Sequence, residues 1–156
     1  MTQGLGLRRT QQTIDTQTQL QDSAAISTSQ TGEIATVAQI LDLGGGGQNN
    51  APLVYFDVVL DVSAIDATTG DELYEIILEG STSSSFASGI EEVGRLHLGG
   101  ATGLNGGQDV VSAAGRYVIA CCNERNGNTY RYLRINFVLS GTSPSITTTA
   151  YALMRV

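Results

Sequence analysis

Along Arg131–Leu139, the residues Leu133, Ile135, Phe137 and Leu139 alternate with Tyr132, Arg134, Asn136 and Val138. A period of two is the spacing of a strand that turns one face to a core. In Leu53–Val62, Phe56, Val58, Leu60 and Val62 share one face, and Asp57, Val59 and Asp61 the other. Apolar-rich segments of this kind predict strands near Ile34–Leu43, Leu53–Val62, Leu73–Leu78, Val93–Leu98, Val110–Ser112, Arg116–Cys122, Tyr130–Leu139 and Ile146–Met154. The runs between them carry turn chemistry: Gly44–Gly47 with Gln48-Asn49-Asn50, Thr69-Gly70-Asp71, Gly80 through Gly89, Gly99 through Gly107, and Ser140–Ser145. Asn126-Gly127 is a hairpin signal, because both residues tolerate positive φ. About eight short strands with turns between them predict an all-β fold, an antiparallel β-sandwich or jelly roll. Helix is expected only as a turn or two across Ala87–Val93.

Residues 1–32 break this pattern. Gln, Thr and Ser dominate them, and Ile14, Leu20 and Ile26 are scattered. So little apolar surface does not offset the entropy of ordering a chain, which predicts an extended polar arm ahead of a domain at 33–156. The arm's Arg8 and Arg9 balance Asp15 and Asp22, so it is not a basic arm for packaged nucleic acid. Fully extended, 32 residues reach about 105 Å at roughly 3.3 Å each, enough to cross several neighbouring subunits. Within the domain, Val59, Tyr130, Tyr132 and Val138 place apolar or aromatic groups opposite the expected core face. Such outward positions suit a subunit contact or a covering arm. The candidate partner-binding residues are therefore Arg8, Arg9, Ile14, Leu20 and Ile26 in the arm, and Tyr130, Tyr132 and Arg134 in the domain.

Charge narrows the partners. Fifteen acidic side chains face eight basic ones, all arginine, for a net charge of −7. An acidic surface repels a phosphate backbone, so nucleic acid is not an expected partner. Arg131 and Arg134 are expected to pair with carboxylates on a neighbouring strand or subunit. The adjacent Cys121 and Cys122 leave opposite faces of a strand and are expected as free thiols, at least one of them buried, in keeping with assembly in a reducing cytoplasm. No signal peptide is expected from the N-terminal pattern, and Leu53–Leu60 is too short to span a bilayer.

Signals for chemistry are weak. The glycines at Gly44–Gly47 precede a strand rather than a helix, and the chain has no lysine, so they read as a loop rather than a phosphate cradle. His97, the single histidine, falls on the more exposed face of a short strand, and no Gly-x-Ser-x-Gly elbow accompanies it. Glu91-Glu92 are neighbours in sequence and do not flank a sugar from two sides. Asp57, Asp61, Asp66, Asp71 and Glu72 gather around one connector, where oxygen ligands for calcium are conceivable, but the spacing matches no EF-hand. No cofactor and no enzymatic activity are expected.

The stretch Arg131–Thr147 (RYLRINFVLSGTSPSIT) and the segments Leu73–Ser81 (LYEIILEGS) and Ser85–Gly89 (SFASG) resemble tailed-bacteriophage capsid cement, or decoration, proteins. The first is similar to their C-terminal strand pair, the others to their central segment. The resemblance implies a jelly-roll-like sandwich that sits, usually as a trimer, on the outer capsid surface of the virion and bridges subunits of the major capsid protein. No counterpart of the arm belongs to the resemblance. The competing expectation is a carbohydrate- or receptor-binding sandwich of a phage tail or fibre. That reading calls for sugar-stacking aromatics in loops, and it is disfavoured because Tyr55, Tyr74, Tyr117, Tyr130, Tyr132 and Tyr151 all fall in predicted strands and there is no tryptophan.

Overall fold

Alternating segments become the long strands of two antiparallel sheets. A computed structural model describes residues 16–45, 51–100, 102 and 111–155. A 3-10 turn at Thr16–Thr18 leads into six short strands: β1 (Gln19–Gln21), β2 (Ala25–Ile26), β3 (Gln30–Thr31), β4 (Glu33–Ile34), β5 (Val37–Ala38) and β6 (Leu41–Asp42). The longer strands are β7 (Tyr55–Ile65), β8 (Leu73–Ser81), β9 (Glu91–Gly99), β10 (Gly115–Cys122), β13 (Tyr132–Ser140) and β14 (Ile146–Met154). Between β10 and β13, β11 (Glu124–Arg125) and β12 (Asn128–Thr129) form the hairpin that Asn126-Gly127 predicts, with φ of 54° and 79° at those two residues.

The first sheet has the order β1–β14–β7–β10, with β2 also on β14; the second has β3–β13–β8–β9, with β6 also on β13. One apolar core joins them. Phe56, Val58, Leu60 and Val62 of β7 meet Tyr74, Ile76 and Leu78 of β8 and Leu133, Ile135 and Phe137 of β13. Burying each such side chain contributes about 1.5–3 kcal/mol. The result is an all-β, sandwich-like body. The chain crosses repeatedly between the sheets: β7 lies in the first, β8 and β9 in the second, β10 in the first, β13 in the second and β14 in the first again.

Several expectations are corrected. Chain from Gln19 onward belongs to the sheets, so the polar arm does not extend to residue 32. Leu20 and Ile26 are buried in the core at 1% and 0% exposure. The polar composition misled because its side chains bond backbone rather than water. Gln21 Oε1 accepts the Glu33 N–H, and the Asp22 carboxylate accepts the Ala24 and Ala35 N–H groups. Ile34–Leu43 is not one strand. Ala35 and Thr36, at φ of 49° and 68°, fold it into the tight β4–β5 hairpin before β6. Both turn residues sit in the left-handed region that favours Gly and Asn.

Val111 and Ser112 form no strand, and Val110 lies outside the described residues. Ser112 instead clamps the end of β9: its N–H donates to Gly99 O, and its hydroxyl accepts the Gly99 N–H. Ala87–Val93 contains no helix. The Ser81 hydroxyl accepts the Ser83 N–H and donates to Ser88 O, folding the connector into bends before β9 begins at Glu91.

Candidate functional site

The two sheets present outer faces of opposite chemistry. On the second sheet, β8 directs Glu75, Ile77 and Glu79 outward, between His97 and Arg95 of β9 and Val138, Asn136 and Arg134 of β13. Glu75 Oε1 accepts Arg95 Nη1 at 2.6 Å and lies 3.0 Å from His97 Nε2. Arg95 also bonds Glu92 at 2.5 Å. Glu79 accepts Arg134 Nε at 2.7 Å and Asn136 Nδ2 at 3.3 Å. This face is a network of ion pairs satisfied within the chain.

The first sheet's outer face is apolar at its centre. Register places Val59 of β7 between Tyr151 of β14 and Val118 of β10, and Asp57 between Leu153 and Ala120. Tyr55 and Val118 are 55% and 52% exposed. Arg116 bonds Asp61 in a two-point contact with Nε···Oδ1 at 2.7 Å, and Arg155 pairs with Asp57. Both ion pairs are neutral overall, so the face offers hydrophobic area framed by compensated charge. Contiguous exposed apolar area framed by polar groups is the usual mark of a protein contact.

The sequence-predicted site residues are not brought together. Arg8, Arg9 and Ile14 lie outside the described residues. Leu20, Ile26 and Tyr130 are buried and serve the domain itself. Tyr130 packs on Gly80, where a Cβ would come within 2.9 Å of its ring. Arg134 is spent on Glu79 and stacks 4.3 Å from the centre of the Phe86 ring. Tyr132 is half-buried under Arg131, whose guanidinium lies 5.1 Å over its ring. The pairing of Arg131 and Arg134 with carboxylates of other strands, Asp42 and Glu79, agrees with expectation. The apolar row on the first sheet was signalled in part by Val59. Val118 and Tyr151 join it only through long-range pairing.

The acidic residues considered for calcium have separate commitments. Asp57 and Asp61 hold arginines, Asp66 caps Thr68, Asp71 bonds the N–H and hydroxyl of Thr142, and buried Glu72 accepts the N–H groups of Thr69 and Gly70. Among the described residues, no cluster of three or more His, Cys, Asp or Glu is arranged to hold a metal ion. Glu91 is exposed, and Glu92 pairs with Arg95. Cys121 and Cys122 are free, and each is half-buried rather than fully enclosed. Burial, and then the neighbouring Cys122, push the Cys121 thiol up to about 12, which leaves it protonated and unreactive at neutral pH. Among the described residues, no helix is long and apolar enough to cross a membrane.

The ion pairs make stability acid-sensitive. The Arg131 guanidinium, helped by the Gly44 N–H, lowers Asp42 to about 2. Arg116 and Arg95 lower Asp61 and Glu92 in the same direction. A carboxylate whose folded pKa is depressed adds stability above its unfolded value, and that stability is lost as pH falls through the folded one. The urea midpoint should therefore hold from neutral pH down to about 4 and fall between about 4 and 2. Arg131→Gln should lessen the fall, and an unaltered profile would remove the Asp42 pair from it. Water screens these exposed pairs, so each contributes little. No protein-family model matches this chain, and no curated protein matches it.

Proposed function

We propose that the chain is a structural virion protein, a capsid cement protein that binds the outer surface of an assembled major capsid lattice and stabilises it. The observation that carries this reading is the apolar outer face of the first sheet: exposed Tyr55 and Val118 and half-buried Tyr151 and Leu153 gather around buried Val59 in one patch on an otherwise acidic chain. An acidic exterior suits the outside of a particle, away from its genome. A flat apolar patch framed by neutral ion pairs suits a protein lattice rather than a small ligand, which needs a concave pocket. The depression lined by Asp61, Val62, Ser63, Gly115 and Arg116 is open and shallow.

The jelly-roll reading rests on strand order. Pairing β1/β2–β14–β7–β10 with β3/β6–β13–β8–β9 is the winding expected of a folded-over hairpin, with the long connections crossing between sheets except at the β8–β9 hairpin. The resemblance at Leu73–Ser81 and Arg131–Thr147 favours a homo-oligomer, a trimer first, whose several copies hold the lattice by multivalency. Residues Arg8, Arg9 and Ile14 are left as candidates for contacts with neighbouring subunits.

The test is occupancy. Tyr55→Glu and Leu153→Glu change exposed or half-buried side chains outside the core and should leave the fold intact. Charging a desolvated apolar contact costs about 2 kcal/mol or more, which corresponds to at least a tenfold loss of particle-bound protein in a sedimentation assay. Native occupancy in the double variant would remove this face from the interface. A glycan-array signal from the wild-type chain would favour the tail-fibre alternative instead.

A further inference from the structure

Among the described residues, the outer side of β10 carries backbone groups without partners. Asn123 N–H donates to Val54 O, and Arg155 N–H donates to Tyr55 O. Hydrogen-bonded pairs alternate along an antiparallel ladder, so β7 bonds β10 through its even-numbered residues and β14 through its odd-numbered ones. With Ile119 opposite Val58 and Val118 opposite Val59, Tyr117, Ile119 and Cys121 bond inward to β7. The N–H and C=O groups of Arg116, Val118, Ala120 and Cys122 point away from the sheet. Among the described residues, no strand pairs with that side.

The other sheet edges are managed differently. β1 and β2 cover β14, and β3 and β6 cover β13. The β9 edge carries Glu91, Glu92 and Arg95, slips register against β8 at Leu78/Glu79, and has Arg125 Nη1 donating to Glu92 O at 3.0 Å. Charges, irregular register and a covering segment are the devices that stop strand addition. β10 has one charge, Arg116, at one end, and its centre, Val118, is 52% exposed.

We propose that β10 pairs antiparallel with β10 of a second copy about a two-fold axis at Val118. In this register Val118 meets Val118 and Arg116 meets Ala120, each pair exchanging two N–H···O bonds through the outward-pointing groups. The sequence is self-complementary there. The two Arg116 side chains stand four positions apart, roughly 13 Å along the strands, which avoids like-charge repulsion. Each lies over Ala120 of the other copy, beside that copy's Asp57 in the next strand. The Tyr151–Val59–Val118 row continues into its symmetry mate as one apolar stripe. This match of apolar centre and offset charge selects a second copy of the chain as occupant.

An eight-residue edge is about 27 Å long and buries less than the roughly 800 Å² per partner of a standard interface, so the free dimer is weak, with Kd in the micromolar range or above. A two-fold contact closes at two copies; within a three-fold assembly it links one assembly to the next. The inference concerns the free chain and does not require a capsid.

Amide hydrogen exchange by NMR on the full chain, from about 10 µM to about 1 mM, tests it together with sedimentation velocity. The expected result is a concentration-dependent dimer in which the Arg116, Val118 and Ala120 amides slow at least tenfold, while those of Tyr117 and Ile119 are protected throughout. Val118→Arg, at an exposed position, should keep the native spectrum and stay monomeric. The pairing is overturned by a monomer at every concentration, by a dimer or trimer with those amides unprotected, or by a V118R chain that still dimerises. Occupancy of Tyr55→Glu particles reads the capsid contact separately, so either proposal can fail alone.

Discussion

Removal of residues 1–32 should unfold the domain rather than trim an arm from it. That deletion takes away β1, β2 and β3, the strands that cover β14 and β13, and with them Leu20 and Ile26. Leu20→Ala alone is expected to cost about 2.7–5 kcal/mol, the range for a buried leucine in a site that collapses incompletely. A domain of this size holds a total of about 5–15 kcal/mol, so losing both side chains and their strand pairing exceeds what the fold can absorb. Loss of the sheet signal in circular dichroism at 25 °C checks the deletion, and urea denaturation checks Leu20→Ala. A cooperative transition in the 1–32 deletion, at the wild-type midpoint, would contradict the packing of these strands. The deletion suited to testing the remaining arm on particles stops at residue 15, before the core contribution begins.

Asn123→Ala should be nearly as damaging, by about 3–5 kcal/mol, although it removes no hydrophobic group. Asn123 is fully buried. Its Oδ1 accepts the Val54 N–H at 2.8 Å, and its Nδ2 donates to Pro52 O at 2.8 Å and to Tyr130 O at 2.9 Å. Its backbone also bonds Val54 and Tyr130. One side chain thus ties the chain entering β7 to the turn that carries β10 across to β13. Alanine leaves the buried Tyr130 carbonyl, and the less enclosed Val54 N–H and Pro52 carbonyl, without their amide partner, at up to about 1–3 kcal/mol each. Asn123→Asp keeps the shape and the acceptor but loses both donors, and should be no better at neutral pH. Urea midpoints of the two variants decide this; a loss below about 1 kcal/mol in the alanine variant would mean that water replaces the amide.

The apparent looseness of the N-terminal third and the silence of Asn123 in the sequence have one cause. In both places a polar side chain bonds backbone from a distant segment. Gln21 reaches Glu33, Asp22 reaches Ala35, and Asn123 reaches Pro52 and Val54. Composition treats such residues as solvent-facing, whereas burial with full hydrogen bonding is equally open to them. Leu20 and Ile26, isolated in a Gln- and Thr-rich run, therefore read as partner anchors when they are core. Tyr130 likewise reads as outward-facing when the β13 alternation is continued past the start of the strand at Tyr132, yet it is buried.

What the sequence determined by itself was local: the period-two strands of Phe56–Val62 and Leu133–Leu139, the Asn126-Gly127 turn, the antiparallel all-β class and the acidic surface. Alternation and turn chemistry depend on neighbours in the chain, so they are written in short windows. Tertiary structure alone decided which strands adjoin, since pairing is set by the burial of whole faces across large sequence separations. It drew Val59, Val118 and Tyr151 into one apolar row with Val118 exposed, set the ion pairs on the opposite sheet, and left the β10 edge unpaired among the described residues. A functional surface on a sheet is made of one or two residues from each of several strands. No single strand contains it, and it exists only once the register is fixed.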